Sequence, residues 1–155
     1  MKDPKITTEL SQIQKHKDHL QIDNELHIFC TIIESTYQIR VYGEVKSMGG
    51  PQTRLITQVE TKSKFEYKSK AKRELAACVY GTRVATSIAT IPGIEIGTVN
   101  FWTNSLNAFY WIKHQTSRTE SDVRLRVYEI LRTTRPQQWS YYSIENESII
   151  PIFNA

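Results

Sequence analysis

The chain has 155 residues, of which 39% are hydrophobic and 23% charged, and its formal net charge is +4. This balance is typical of a single globular domain and excludes an intrinsically disordered chain. No apolar run reaches the roughly 18 residues that a membrane helix needs, and the polar first 20 residues do not resemble a signal peptide, so a membrane partner is not expected.

Residues 1–24 lack a clear hydrophobic period and contain a polar run around Lys15 to His19. This composition indicates an N-terminal arm or linker. A single domain is predicted to occupy residues 25–155.

Three strands are predicted in the first half of the domain. Leu26, Ile28 and Cys30 alternate with residues that are also mostly apolar, which is typical of a central strand covered on both faces. Further strands are predicted at residues 37–45 and 55–62, with a turn at Gly49 to Pro51 between them. Because the connections are short, the three strands are expected to form an antiparallel meander.

Helices and strands alternate in the second half of the sequence. Helices are predicted at residues 70–89 and 105–113, and a third helix is predicted to begin after Ser121, which would be its N-cap. Strands are predicted at residues 99–102 and 139–143. The resulting order, β-β-β-α-β-α-α-β, predicts an α/β domain with a mixed five-stranded sheet and helices on its faces.

Several sequence blocks occur in a characteristic order and spacing: LHIFCTIIESTY at 26–37, a strand ending in KSK at 62–64, KRELAACVYGTR at 72–83, FWTNS followed by YWI at 101–112, RVYEI at 126–130, and WSYY with EN at 139–146. Together they resemble the ribonuclease H (RNase H) domain of BEL/Pao-type retrotransposon polyproteins. The resemblance covers about residues 26–149 and implies an RNase H-like fold.

The resemblance also bears on catalysis. RNases H cut the RNA strand of an RNA–DNA hybrid with two Mg²⁺ ions held by carboxylates. The positions that match the family's carboxylates carry Thr31, Glu74, Asn104 and Ile149. With one carboxylate remaining, we expect no catalytic site, no metal and no cofactor. Rescue by Glu34 or Glu145 is the alternative, and Glu74 is also explained as an ordinary helix residue.

The histidines and cysteines form no other catalytic arrangement. His16, His19, His27 and His114 do not make a metal-ligand spacing with the cysteines, and His27 and Cys30 are expected on opposite faces of their strand. Cys30 and Cys78 lie in apolar segments, so buried thiols are predicted rather than a disulfide. Unpaired cysteines favour an intracellular location, nuclear or cytoplasmic.

Two binding hypotheses remain for a domain without catalysis. The first is a protein-interaction scaffold, derived from a retroelement, whose interface uses Tyr110, Trp111, Tyr141, Tyr142, Ile150, Ile152 and Phe153. Its alternative is that these residues fill the domain's own core. The partner's identity and the oligomeric state stay open.

The second hypothesis is non-catalytic binding of RNA or an RNA–DNA hybrid through a basic segment. That segment contains Lys62, Lys64, Lys68, Lys70, Lys72 and Arg73. Its alternative is a solvated basic loop before a helix. Salt separates the two hypotheses, because phosphate contacts weaken steeply with ionic strength and apolar contacts do not.

Overall fold

The computed structural model describes residues 22–62, 69–114 and 120–143. Its elements, in chain order, are β1 (Ile22–Ile33), β2 (Thr36–Ser47), β3 (Gly50–Lys62), α1 (Lys70–Ile88), β4 (Asn100–Thr103), α2 (Leu106–His114), α3 (Ser121–Thr133) and β5 (Trp139–Tyr141). Short 3₁₀ turns at Ile96–Thr98 and Pro136–Gln138 precede β4 and β5. None of the helices in these ranges has the length and apolar character needed to cross a membrane.

The five strands form one mixed sheet in the order β3-β2-β1-β4-β5. β2 is antiparallel to both of its neighbours, whereas β1, β4 and β5 are parallel. Tight turns can join antiparallel strands, but a parallel neighbour requires a crossover, and α1 provides it between β3 and β4. The predicted β-β-β-α-β-α-α-β order and mixed sheet are confirmed, and this arrangement is RNase H-like.

The β2–β3 hairpin is longer than predicted. Pairing continues to Ser47 opposite Gly50, so Pro51 belongs to β3 and not to the turn. Proline is tolerated there because β3 is an edge strand and no ladder hydrogen bond is lost on its outer side. At the other boundaries, β1 begins at Ile22, three residues before the predicted start of the domain at residue 25, and Glu120 rather than Ser121 is the N-cap of α3.

The main core lies between the sheet and the helices. Leu26, Ile28 and Cys30 of β1 belong to the same buried cluster as the inward-facing residues of α1, α2 and α3. Trp139 of β5 stacks on Phe101 of β4 with ring centroids 4.8 Å apart. Successive strand residues point to opposite faces, so the intervening residues of β1 face away from this cluster.

A second, aromatic cluster covers the opposite face of the sheet. Phe29 is fully buried there, stacked on Trp102 at 5.3 Å and meeting Tyr42 and Tyr142 edge-on. Both faces of β1 are therefore buried, which confirms the prediction that it is a central strand.

Candidate functional site

The candidate site lies where the carboxyl ends of β1 and β4 meet the start of α1. The parallel register places Cys30 opposite Thr103, and Thr31 and Asn104 are the next residues of the two segments. Tyr37, the β2 partner of Ile32 at this end of the sheet, is within electrostatic range of Arg73 in the first turn of α1. The crevice beyond strand carboxyl ends is the usual ligand site of open α/β sheets.

Thr31 is the residue that the sequence resemblance matches to the first carboxylate of the RNase H family. Its side chain is buried, and its hydroxyl donates a 3.2 Å hydrogen bond to the carbonyl oxygen of Gln38 on β2. A carboxylate in this orientation would meet that carbonyl oxygen as a second acceptor. At this position the sheet therefore has a hydrogen bond between two neutral groups, one on β1 and one on β2.

Asn104, in the turn after β4, is the residue that the resemblance matches to the family's aspartate after the fourth strand. Hydroxyl groups organise this turn: the Ser105 N–H donates to Thr103 Oγ1 at 3.1 Å, and the Ala108 N–H donates to Ser105 Oγ at 3.1 Å. The second bond caps the start of α2. Asn104 is half-buried and offers a neutral amide where the family has an aspartate.

Glu74 is the one matched carboxylate among the described residues, on α1 one turn before Cys78. Two Mg²⁺ ions beside a phosphate require several anionic oxygen ligands, and Thr31 and Asn104 are both neutral. These residues therefore do not fit the family's metal pair. In the described ranges no three His, Cys, Asp or Glu residues are grouped as a metal site would need, and Ile149 lies outside those ranges.

Two thiols lie in the core beside this site. Cys30 and Cys78 are both buried and free, as predicted, and their side chains are hydrogen-bonded to each other. Burial, reinforced by the contact with Cys78, raises the pKa of the Cys30 thiol well above its ordinary value. A thiol that stays protonated is a poor nucleophile. His27 faces the other side of the sheet, where its Nδ1 accepts a 3.1 Å hydrogen bond from Trp102 Nε1.

The described residues of the predicted basic segment lie in different environments. Lys62 ends β3 opposite Thr36, and Lys70 begins α1; both are exposed. Lys72 is engaged instead: its Nζ lies 2.5 Å from Glu120 Oε2 and 3.0 Å from Asp122 Oδ2. Lys64 and Lys68 lie outside the described residues.

The ion pairs of Lys72 change the titration of both partners. The hydrogen bond to Glu120, followed by that to Asp122, raises the pKa of Lys72. The same lysine lowers the pKa of Asp122. This lysine therefore ties the first turn of α1 to the first turn of α3 rather than offering a free charge to solvent.

Three arginines are within electrostatic range of the buried Tyr37. Burial raises the pKa of the Tyr37 phenol, while the positive charges of Arg126, Arg73 and Arg83 lower it. Arg83 Nη2 pairs with Glu129 Oε1 at 2.8 Å, and Arg126 Nη1 donates to the Asp122 carbonyl oxygen at 3.3 Å.

The Nε of the third arginine, Arg73, is buried and has no hydrogen-bond partner in the described part of the chain. Arg126 and Arg83 were not predicted as site residues, because no local sequence pattern marks them and only tertiary packing brings them near Tyr37.

The aromatic residues that were predicted to form an interface also differ in their exposure to solvent. Tyr110 and Tyr141 are 53% and 40% exposed, whereas Tyr142 is buried in the second cluster and Trp111 packs against the main core. Phe109 lies next to Tyr110 on α2, and its ring centroid is 6.2 Å from that of Tyr141.

Leu106, one turn before Tyr110 on α2, is also exposed. We call Leu106, Phe109, Tyr110 and Tyr141 the β5-edge patch. Ile150, Ile152 and Phe153 lie outside the described residues.

Comparison with known proteins finds similarity to solved structures. No protein-family model and no curated protein matches the chain. Among solved structures, the chain is similar to RNase H1 from the halophilic archaeon Halobacterium salinarum NRC-1, with 10% identity and a TM-score of 0.39 over 77% of this chain and 85% of that one. The fold assignment stands on the strand order and register of the chain itself.

Proposed function

We propose that this chain is a non-catalytic RNase H-like binding module, descended from the RNase H domain of a BEL/Pao-type retroelement. The descent is supported by the order of the sequence blocks between residues 26 and 146. The loss of catalysis is supported by one observation: neutral Thr31 and Asn104 directly follow the paired residues Cys30 and Thr103 of β1 and β4. A divalent ion beside a polyanion needs charged ligands there.

The first binding mode is a protein scaffold that uses the β5-edge patch. Exposed aromatic side chains are common at the centres of protein interfaces, and this patch has Tyr110 and Tyr141 next to a strand edge. An edge strand also offers unpaired backbone groups to a partner. The partner is another protein within an intracellular assembly, nuclear or cytoplasmic.

The second mode is non-catalytic binding of RNA or an RNA–DNA hybrid. It is favoured by a specific observation: Lys62 and Lys70 are exposed at the same end of the sheet as Arg73 and Tyr37. With two family carboxylates replaced by neutral residues, this end repels phosphate less.

The central test combines binding and cleavage on a labelled RNA–DNA hybrid with Mg²⁺. Anisotropy is measured at about 50 and 200 mM salt, and the RNA is then run on a denaturing gel. We expect intact RNA with wild-type protein and with Glu74→Ala. Cleavage by the wild-type chain that disappears in Glu74→Ala would contradict the loss of catalysis.

The protein-scaffold mode is tested by comparing captured partners between matched variants. The double variant Tyr110→Ser/Tyr141→Ser removes the two exposed tyrosines of the β5-edge patch, and Tyr128→Ser removes an exposed tyrosine from α3. We expect a partner that is lost with the double variant and retained with the control. If both variants retain the same proteins as wild type, the patch is not the interface.

A further inference from the structure

We propose that the cleft between α1 and α3 is a docking site for an acidic side chain, an aspartate or a glutamate, of a partner protein. The cleft has a volume of about 240 Å³, and its lining residues are Thr82, Arg83 and Thr86 of α1 and Glu129, Arg132 and Thr133 of α3. It shares no residue with the two binding modes proposed above, so the inference can fail without them and they can fail without it.

The helical spacing explains why these residues meet. Side chains three and four residues apart are neighbours on a helix surface, so Glu129, Arg132 and Thr133 share one face of α3. On α1, Thr82 and Thr86 are related in the same way. Thr82 is only 3% exposed, whereas the threonines and arginines that line the rest of the cleft are exposed. The cleft therefore has a buried residue at its base and is open to solvent.

The ion pair that crosses the cleft leaves one positive charge without a partner. Arg83 Nε and Nη2 lie 2.9 Å and 2.8 Å from the same oxygen, Glu129 Oε1. Arg132 is three residues after Glu129, but its guanidinium makes no hydrogen bond or ion pair within the described residues. Two guanidinium groups and one carboxylate give the lining a net charge of +1. A single carboxylate from a partner would balance this charge.

The hydrogen-bond donors of the cleft also favour an anion. Thr86 Oγ1 donates to the carbonyl oxygen of Thr82 at 2.9 Å, and Thr82 Oγ1 donates to a carbonyl oxygen of the preceding turn at 2.7 Å. Both hydroxyl hydrogens are thus used within α1, and the donors left for a ligand are mainly those of Arg83 and Arg132. The planar guanidinium fork matches the two oxygens of a carboxylate.

The size and openness of the cleft favour a protein side chain over a free small molecule. Small-molecule pockets usually measure about 300–1,000 Å³ and bury most of their ligand. This cleft is smaller, and the Arg83 side chain is 60% exposed, so a free carboxylate would stay largely in water and gain little. A partner protein that covers the cleft excludes water and strengthens the charge interaction, and arginine is enriched among the residues that dominate interface energies.

The test uses a blocked tripeptide with a central glutamate between two alanines. Its neutral counterpart has a central glutamine, and acetate is the third probe because it carries the carboxylate without a peptide. Each probe is titrated into the isotope-labelled full chain at constant ionic strength. The Nε–H resonances of Arg83 and Arg132 are followed by NMR, which locates binding at the cleft directly.

The matched variants are Arg132→Gln and Arg124→Gln, which each remove one positive charge from α3. Arg124 is exposed and lies eight residues before Arg132, about 12 Å along the helix. We expect the glutamate peptide to give saturable shifts, with Arg132→Gln weakening its binding roughly fivefold and Arg124→Gln staying within about twofold of wild type. Arg132→Lys keeps the charge but loses the planar fork, and its affinity should fall between those of wild type and Arg132→Gln.

Three results would overturn the inference. If the glutamate peptide gives no saturable shift at Arg132, or if the glutamine peptide gives the same shift, the cleft is not a carboxylate site. If Arg132→Gln and Arg124→Gln weaken binding equally, the effect is one of general charge and not of the cleft. If acetate binds as tightly as the glutamate peptide, the site takes a free carboxylate and its assignment to a partner's side chain is wrong.

Discussion

Helix α1 crosses strand β1 so closely at Gly81 that a β-carbon added there would lie 2.2 Å from the Sγ of Cys30 and 3.4 Å from its Cβ. Real non-bonded carbon and sulfur atoms do not approach to the first of these distances, so the contact requires a residue without a side chain. The absence of a side chain at Gly81 lets the helix backbone rest on the sheet. This contact sets the distance from β1 at which α1 carries Glu74 and Arg73.

We therefore expect Gly81→Ala to destabilise the fold, although alanine in a helix is normally favoured over glycine by about 1 kcal/mol. Overpacking of this kind costs roughly 1–3 kcal/mol or more, which chemical denaturation measures. Gly97→Ala is the control, because nothing lies within 4 Å of its added β-carbon. The double variant Cys30→Ala/Gly81→Ala should recover much of the loss; an equal loss in the single and double variants would contradict the proposed clash.

Restoring a carboxylate at Thr31 should cost stability in a pH-dependent way. In Thr31→Asp, a buried carboxyl group would face the Gln38 carbonyl oxygen, which favours its protonated form and raises its pKa. The penalty is then small below the unfolded pKa of about 4 and grows as the pH rises above it.

The control for that experiment is Thr31→Val, which loses only the hydrogen bond, worth about 1 kcal/mol, at every pH. Unfolding curves at about pH 4 and pH 7 separate the two variants. A Thr31→Asp protein that is equally stable at both pH values would show that its carboxylate does not face the Gln38 carbonyl oxygen.

The ion pairs of Lys72 predict a stability change at acid pH. Asp122 has a pKa below its ordinary 3.8, so its contribution is present above that value and is lost as the pH falls through the lowered pKa. Lys72→Met removes the partner, so the melting temperatures of variant and wild type should converge at low pH.

At neutral pH the Lys72→Met variant should melt at a lower temperature, and added salt should reduce the difference because the pair is largely exposed to solvent. Lys70→Met is the matched control, since Lys70 is exposed on the same turn and no ion pair of it is described. If Lys70→Met and Lys72→Met give identical pH profiles, the link between α1 and α3 does not contribute to stability.

Trp139 depends on one hydroxyl group for its indole N–H. Its Nε1 donates to Thr134 Oγ1 at 3.0 Å, and both side chains are buried. Thr134→Val keeps the volume but leaves this donor unpaired, and we expect a loss of about 1–3 kcal/mol in the free energy of unfolding.

The matched control for Thr134→Val is Thr90→Val, which removes an exposed hydroxyl bonded to the Ser87 carbonyl. It should change stability much less, because water can replace that bond. Comparable losses in the two variants would mean that the indole finds another acceptor.

The strands and helices of this chain could be predicted because their signals are local. Period-two apolar patterns gave the positions of β1 to β3, and helical spacing located α1 within one residue of its observed end at Ile88. Thr31 and Asn104 were expected to mark one site because both match carboxylate positions of the RNase H family, and in the structure they directly follow the paired residues Cys30 and Thr103.

The ion pairs at the start of α1 were not predictable, because they depend on contacts between distant segments of the chain. Lys72 is 48 residues from Glu120 in sequence, so its pairing could not be inferred from the basic run around it. Likewise, Tyr141 and Tyr142 look equivalent in the sequence. Tyr141 is exposed and Tyr142 is buried, because neighbouring residues point to opposite faces of the sheet.

The order of strands in the sheet also has a consequence for how the chain folds. β1 and β2 meet through a turn at Ile33 and Thr36, whereas β1 reaches β4 by pairing His27 with Asn100. Hairpins form in microseconds, while distant pairs must first close a long loop. During synthesis the meander is complete before β4 emerges, which leaves the inner edge of β1 unpaired and apolar on both faces. At that stage the nascent chain is most exposed to aggregation.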